Sequence, residues 1–161
     1  MANPMYGQNK FDDAAANLVG EVEQLGILAK TLVASDSGKV HVLDRAGGMT
    51  ITLPAAKAGL SYEFHVKTTF TGTLTINAAS SGDTLQGVVV MCAVGIAVQN
   101  NQAVATAGFA NPAAADHQYV ADADTKGRLL GTHLVYKCMT DALWSVSGEA
   151  VTAGSVATPF T

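Results

Sequence analysis

Apolar side chains recur at every second position through much of the chain, the period of a strand that buries one face. In LSYEFHVK, Leu60, Tyr62, Phe64 and Val66 fall on one face, and Ser61, Glu63, His65 and Lys67 on the other. GGMTITLP repeats the pattern: Met49, Ile51 and Leu53 point inward, Thr50 and Thr52 outward, Gly47 and Gly48 open the run and Pro54 closes it. GTLTIN places Leu74 and Ile76 against Thr73, Thr75 and Asn77, between Gly72 and the turn-forming NAASSGD. KVHVLD, preceded by the turn residues SDSG, puts Val40 and Val42 on one face and leaves His41 to face outward beside His65.

Three further runs complete the strand set. GVVVMCAVGIAV is continuously apolar and Val-rich, which predicts a strand buried on both faces, with Gly95 marking a bulge. THLVYKC and LWSVSG, separated by MTDA, predict a hairpin whose inner face Trp144 anchors. Strands about ten residues apart, with turn signals and no helical pattern between them, predict an all-β fold: an antiparallel sandwich or barrel, jelly-roll-like.

Two segments fall outside that pattern. Residues 100–128 have no sustained periodicity and are rich in Ala, Asn, Asp and Gly, which predicts a long excursion between strands, functional or ordered by a partner. In residues 1–30, Phe11, Ala15, Leu18, Val22, Leu25, Ala29 and Leu32 follow the four- and three-residue steps of a helix with one narrow seam. Gly20 and Gly26 each cost about 1 kcal/mol against alanine in a helix interior. The expectation is a short helix over residues 12–25, then a strand through ILAKTLV. The domain division is an N-terminal arm, residues 1–30, and a β-sandwich, residues 31–161.

Composition narrows the function classes. The 161 residues suit one domain with its own core. Only 14% are charged and the formal net charge is −4, so there is no basic surface to neutralise a phosphate backbone, and no nucleic-acid partner is expected. No apolar run is long enough to span a bilayer and MANPMYGQNKFDD has no signal-peptide pattern, so no membrane partner is expected. Hydrophobic residues reach 48%, with many Ala and Val and few Lys or Glu, a composition closer to a surface that meets other protein than to that of a free enzyme.

Candidate chemistry is thin. His41, His65, His117 and His133 have no GxSxG elbow to join, and a His41–His65 cross-strand pair lacks the third ligand that zinc requires. Asp116, Asp122 and Asp124 precede Gly127 in DHQYVADADTKG, but no glutamate closes a calcium loop at its twelfth position, so acidic turn formers are expected. Cys92 and Cys138 lack ligand spacing and are expected to be buried thiols. There is no Walker loop, GxGxxG or HExxH. The expectation is therefore no catalytic residue, no cofactor, no metal site, and a protein that is not an enzyme.

The ordered set LVASDSGKVHVLDRAGGMTITLPAAKAGLSYEFHV, TLTINAASSGDTLQG, GTHLVYKCMTDALWSVSG and the ending VATPF resembles small virion proteins of tailed bacteriophages. The resemblance covers about residues 31–161, and the family it points to is that of head decoration, or cement, proteins. It implies a structural role on the outer capsid surface: binding the major capsid protein, bridging capsomers and stabilising the head, commonly as a homotrimer. The implied location is the virion, after synthesis in the host cytoplasm. Related modules occur in tail fibres and other tail parts, where the same scaffold would serve receptor binding through exposed aromatic residues. Tyr6, Phe11, Phe109, Tyr119 and Phe160 are the aromatic residues to consider for that use.

Overall fold

The computed structural model describes residues 21–94, 105–111, 116–153 and 156–161. The three clearest alternations form strands with the expected faces inward. β4 (Met49–Thr52) buries Met49 and Ile51, β5 (Ser61–Val66) buries Tyr62, Phe64 and Val66, and β6 (Leu74–Asn77) buries Leu74 and Ile76. Their threonines and charged residues take the opposite face, so sequence period and burial agree residue by residue. The remaining strands are β1 (Val22–Leu25), β2 (Ala29–Thr31), β3 (Val40–Leu43), β7 (Thr84–Val94), β8 (Ala105–Asn111), β9 (Gln118–Ala121), β10 (His133–Thr140) and β11 (Leu143–Ala153).

From β1 to β7 the chain alternates between two sheets. Odd strands enter a seven-stranded sheet, ordered β1-β3-β5-β10-β11-β7-β8, and β2, β4 and β6 enter a four-stranded sheet, ordered β2-β4-β6-β9. Parallel neighbours need a crossover connection, and here a strand of the opposite sheet supplies it. β1, β3 and β5 are therefore parallel in one sheet, and β2, β4 and β6 are parallel in the other. β10 and β11 form the expected hairpin, turning at Asp141 and Ala142, with a bulge between Cys138 and Thr140. β11 then lies parallel to β7 over eleven residue pairs.

The fold is all-β, but its sheets are mixed rather than antiparallel: five of the nine ladders among the described residues are parallel. A jelly roll, built of antiparallel Greek keys, has a different strand order. Turn signals every ten residues suit a chain that folds back beside itself and one that crosses to a facing sheet equally well, which is why the alternation alone suggested hairpins.

The core lies between the sheets. Trp144, Tyr62, Tyr136 and Phe64 from the larger sheet, Tyr119 from the smaller one and Phe70 between strands are its largest fully buried side chains, and Met49, Ile51 and Leu74 of the smaller sheet join the same cluster. Burying one such side chain stabilises the fold by roughly 1.5–3 kcal/mol. At the corner where β4 and β6 begin, successive turns of chain touch backbone to backbone. A Cβ on Gly72 would sit 2.6 Å from the Gly48 nitrogen, so glycine at 72 is what allows the two parallel strands to start in register.

Four expectations are corrected. Residues 22–25 form β1 rather than the end of a helix: Leu25 is buried, Val22 is exposed, and the backbone pairs with β3. The rest of that helix, and Gly95, lie outside the described residues. The strand foreseen in ILAKTLV is present as β2, so the boundary at residue 30 falls inside a strand that belongs to the smaller sheet. The excursion over residues 100–128 contains β8 and β9; β8, reading ATAGFAN, has few of the β-branched residues that advertise a strand. Finally, β7 buries one face only. Leu85, Val89, Met91 and Ala93 point inward, while Val88 is 49% and Val94 42% exposed.

Candidate functional site

The outer face of the seven-stranded sheet is where chemistry-bearing groups collect. Side chains in register across a sheet share a face, and two adjacent rungs can be read off the pairing. One runs Val40, Glu63, Val135, Ser147, Val88, and the next Val42, His65, His133, Glu149, Val90. At their centre, the antiparallel pairing of β5 with β10 sets His65 directly opposite His133. Glu63 is two residues before His65 on the same face.

These three side chains meet. Glu63 Oε1 lies 2.7 Å from His65 Nε2 and 3.1 Å from His133 Nε2. The two imidazoles stack, their centroids 4.2 Å apart and their planes 18° from parallel. The hydrogen bond from His65 holds the Glu63 carboxyl below its ordinary range; partial burial opposes that, and His133 adds to it. Side-chain exposures of 37% for Glu63, 43% for His65 and 37% for His133 leave the cluster open to solvent.

His41 does not join His65. It is fully buried on the inner face of β3, stacked on Phe64 at 5.4 Å and beside Tyr62 at 6.2 Å. Its Nδ1 approaches Glu23 Oε2 to 3.4 Å without hydrogen-bond geometry, and neither ring nitrogen has a partner. Burial pushes the His41 pKa down, against an upward pull from Glu23. Glu23 itself pairs with Lys30 at 2.8 Å. Because Glu23 is in register with His41 and Lys30 with Ile51, this ion pair spans the two sheets at the β1–β2 end of the core. Lys39 bonds Asp36 nearby at 3.2 Å, and although burial works the other way, the Val33 N–H and Lys39 bring the Asp36 carboxyl below its ordinary range.

The other candidates serve the fold. Asp122 and Asp124 pair with Lys126 at 3.1 Å and Arg128 at 2.7 Å around a 3-10 turn, Asp124–Lys126, that ends on Gly127 in the left-handed region at φ 82°. Their charges are thus met within the same turn, as acidic turn formers. His117 Nδ1 lies 3.1 Å from the Asp83 carbonyl, at the rim of a shallow cleft of about 280 Å³ formed by residues 77–81 and Gln118. Tyr119 and Phe160 are buried, edge to face at 6.1 Å, and the Tyr119 hydroxyl donates to the Lys126 carbonyl at 3.2 Å. Tyr6, Phe11 and the Phe109 side chain lie outside the described residues. Cys92 and Cys138 are both free thiols, Cys138 buried and Cys92 half-buried.

The fold defines an all-β protein of two mixed sheets whose larger sheet carries a Glu-His-His cluster and a valine-rich outer face. No protein-family model, curated protein or solved structure matches the chain. Among the described residues, no helix is long and apolar enough to cross a membrane.

Proposed function

We propose that the chain is a structural protein of a tailed-bacteriophage virion: a decoration protein that binds the outer surface of the major capsid protein shell, bridges capsomers and stabilises the head. The observation that carries this reading is the outer face of β7 and its neighbours. From Val88 to Val94, β7 has the continuous apolar character of a strand covered on both sides, yet the described residues cover one side only and leave Val88 and Val94 exposed. Val40, Val42, Val90 and Val135, all half-buried, continue the same face. A second protein surface is the natural cover, and the 14% charged composition agrees with a molecule that works in contact with protein.

A rigid two-sheet scaffold suits this task, since several weak contacts on one particle act together through their effective concentration. Assembly as a homotrimer, location on the virion and synthesis in the host cytoplasm belong to the same proposal, as does the absence of catalytic, nucleic-acid or membrane roles. A tail-fibre module would call for exposed aromatic residues, and Tyr119 and Phe160 are in the core. Purified protein mixed with capsids that lack it, then imaged, tests the reading. Density at regular positions on the shell is the expected result; density confined to the tail, or none, overturns it.

A further inference from the structure

We propose that Glu63, His65 and His133 form a binding site for a divalent transition-metal cation of the zinc type. Two imidazoles and one carboxylate are a recurrent zinc ligand set that leaves a fourth position for water or another donor. The nitrogen and oxygen ligand atoms of these three residues all lie within 4.8 Å of one another. In a tetrahedral site with bonds of about 2.0–2.1 Å, ligand atoms stand roughly 3.3 Å apart. The observed 2.7 and 3.1 Å separations both fall a few tenths of an ångström short of that spacing, so small outward side-chain movements let a cation replace the shared protons.

The backbone does most of the positioning. Residues two apart on a strand point the same way, and a directly opposed residue on an antiparallel neighbour brings its Cβ within about 4.5–5.5 Å. Glu63 and His65 meet the first condition, His65 and His133 the second. Both strands are interior to the seven-stranded sheet, β5 between β3 and β10, and β10 between β5 and β11, so three ligands sit on a platform that is ordered before any ion arrives. Loading requires the stacked rings to splay until both Nε2 lone pairs aim at one point. Their exposure, 43% and 37%, leaves room for that rotation.

The surroundings also favour a cation. Glu149 lies in register with His133 on β11, so a second acidic residue shares this face of the sheet. The inference stands apart from the virion reading, because ligand geometry within one chain does not depend on what the chain attaches to.

The test uses the full chain without a polyhistidine tag, stripped with chelator and titrated with zinc by calorimetry and with cobalt by visible absorption. One equivalent per chain is expected, with cobalt d–d bands, proton release on binding, and affinity that falls as the pH drops through the histidine range. His65→Gln and His133→Gln should each weaken binding by at least about tenfold. His117→Gln, away from the cluster, should leave it unchanged. All four are compared after circular dichroism shows the same strand signal, so a folding defect is not read as a lost ligand. No saturable binding to the unmodified chain overturns the proposal. So does binding that both cluster variants retain.

Discussion

Replacing Val89 and Val88 in turn by threonine compares two adjacent residues of identical type on opposite faces of one strand. Val89 is fully buried and Val88 is 49% exposed. Threonine has nearly the shape of valine and keeps the branched Cβ that strands favour, so the exchange isolates the cost of placing a hydroxyl at each position. At Val89 the hydroxyl enters an apolar layer beside Gly148 of β11, its parallel partner. A buried hydroxyl without a hydrogen-bond partner costs about 1–3 kcal/mol in proteins. For a domain of this size each kcal/mol moves the melting temperature by roughly 2–4 °C, so Val89→Thr should melt about 2–12 °C lower. At Val88 the hydroxyl reaches water, and the change should stay within about 0.5 kcal/mol. Thermal and urea unfolding of the two variants, followed by circular dichroism, provide the comparison. Equal losses would refute the reasoning, because they would mean that the outer face of β7 is already covered in the isolated chain.

Three further outcomes follow from other positions. Gly148 has φ 147°, and a Cβ there would lie 2.1 Å from the His133 carbonyl oxygen; Gly148→Ala should destabilise by more than about 1–3 kcal/mol, read as a fall in urea midpoint, while Gly82→Ala, whose nearest atom is Ser80 Oγ at 3.6 Å, should change it little. His41 has a folded-state pKa below its ordinary 6.5, so below pH 6.5 the unfolded chain binds more protons and stability must fall with pH. His41→Phe should flatten the slope of melting temperature between pH 7 and pH 5, whatever its offset, and an unchanged slope would show that His41 is not the group responsible. Light scattering at micromolar concentration should report a trimer if the chain self-associates away from the shell, and Val88→Lys should shift that mass toward monomer with the strand signal intact.

The inward faces of β4, β5 and β6 were legible because each run alternates cleanly and one set of positions is far more apolar than the other. Direction and partner were not, since a parallel and an antiparallel neighbour ask for the same alternation within a strand. β3 shows a second limit. In KVHVLD the valines look more apolar than His41, yet Val40 and Val42 face outward and His41 and Leu43 inward. Where the outer face of a sheet is itself valine-rich, polarity stops distinguishing inside from outside, and the aromatic contacts of the imidazole with Phe64 and Tyr62 decide the matter.

The proposed metal-ligand cluster stayed hidden while two of its three members were in plain view. Glu63 and His65 share a face by their spacing alone. The third ligand is 70 residues away from Glu63, and it arrives only through the register of β5 against β10, which no local pattern specifies. His41, the histidine nearer in sequence, occupies the neighbouring strand but points to the other side of the sheet. A shift of β10 by one residue would turn His133 inward and break the cluster. The binding stoichiometry of zinc is therefore also a measurement of strand register: loss of binding in Gly148→Ala, with the three ligand residues untouched, is the result expected if that glycine holds β11 close enough to keep β10 in place.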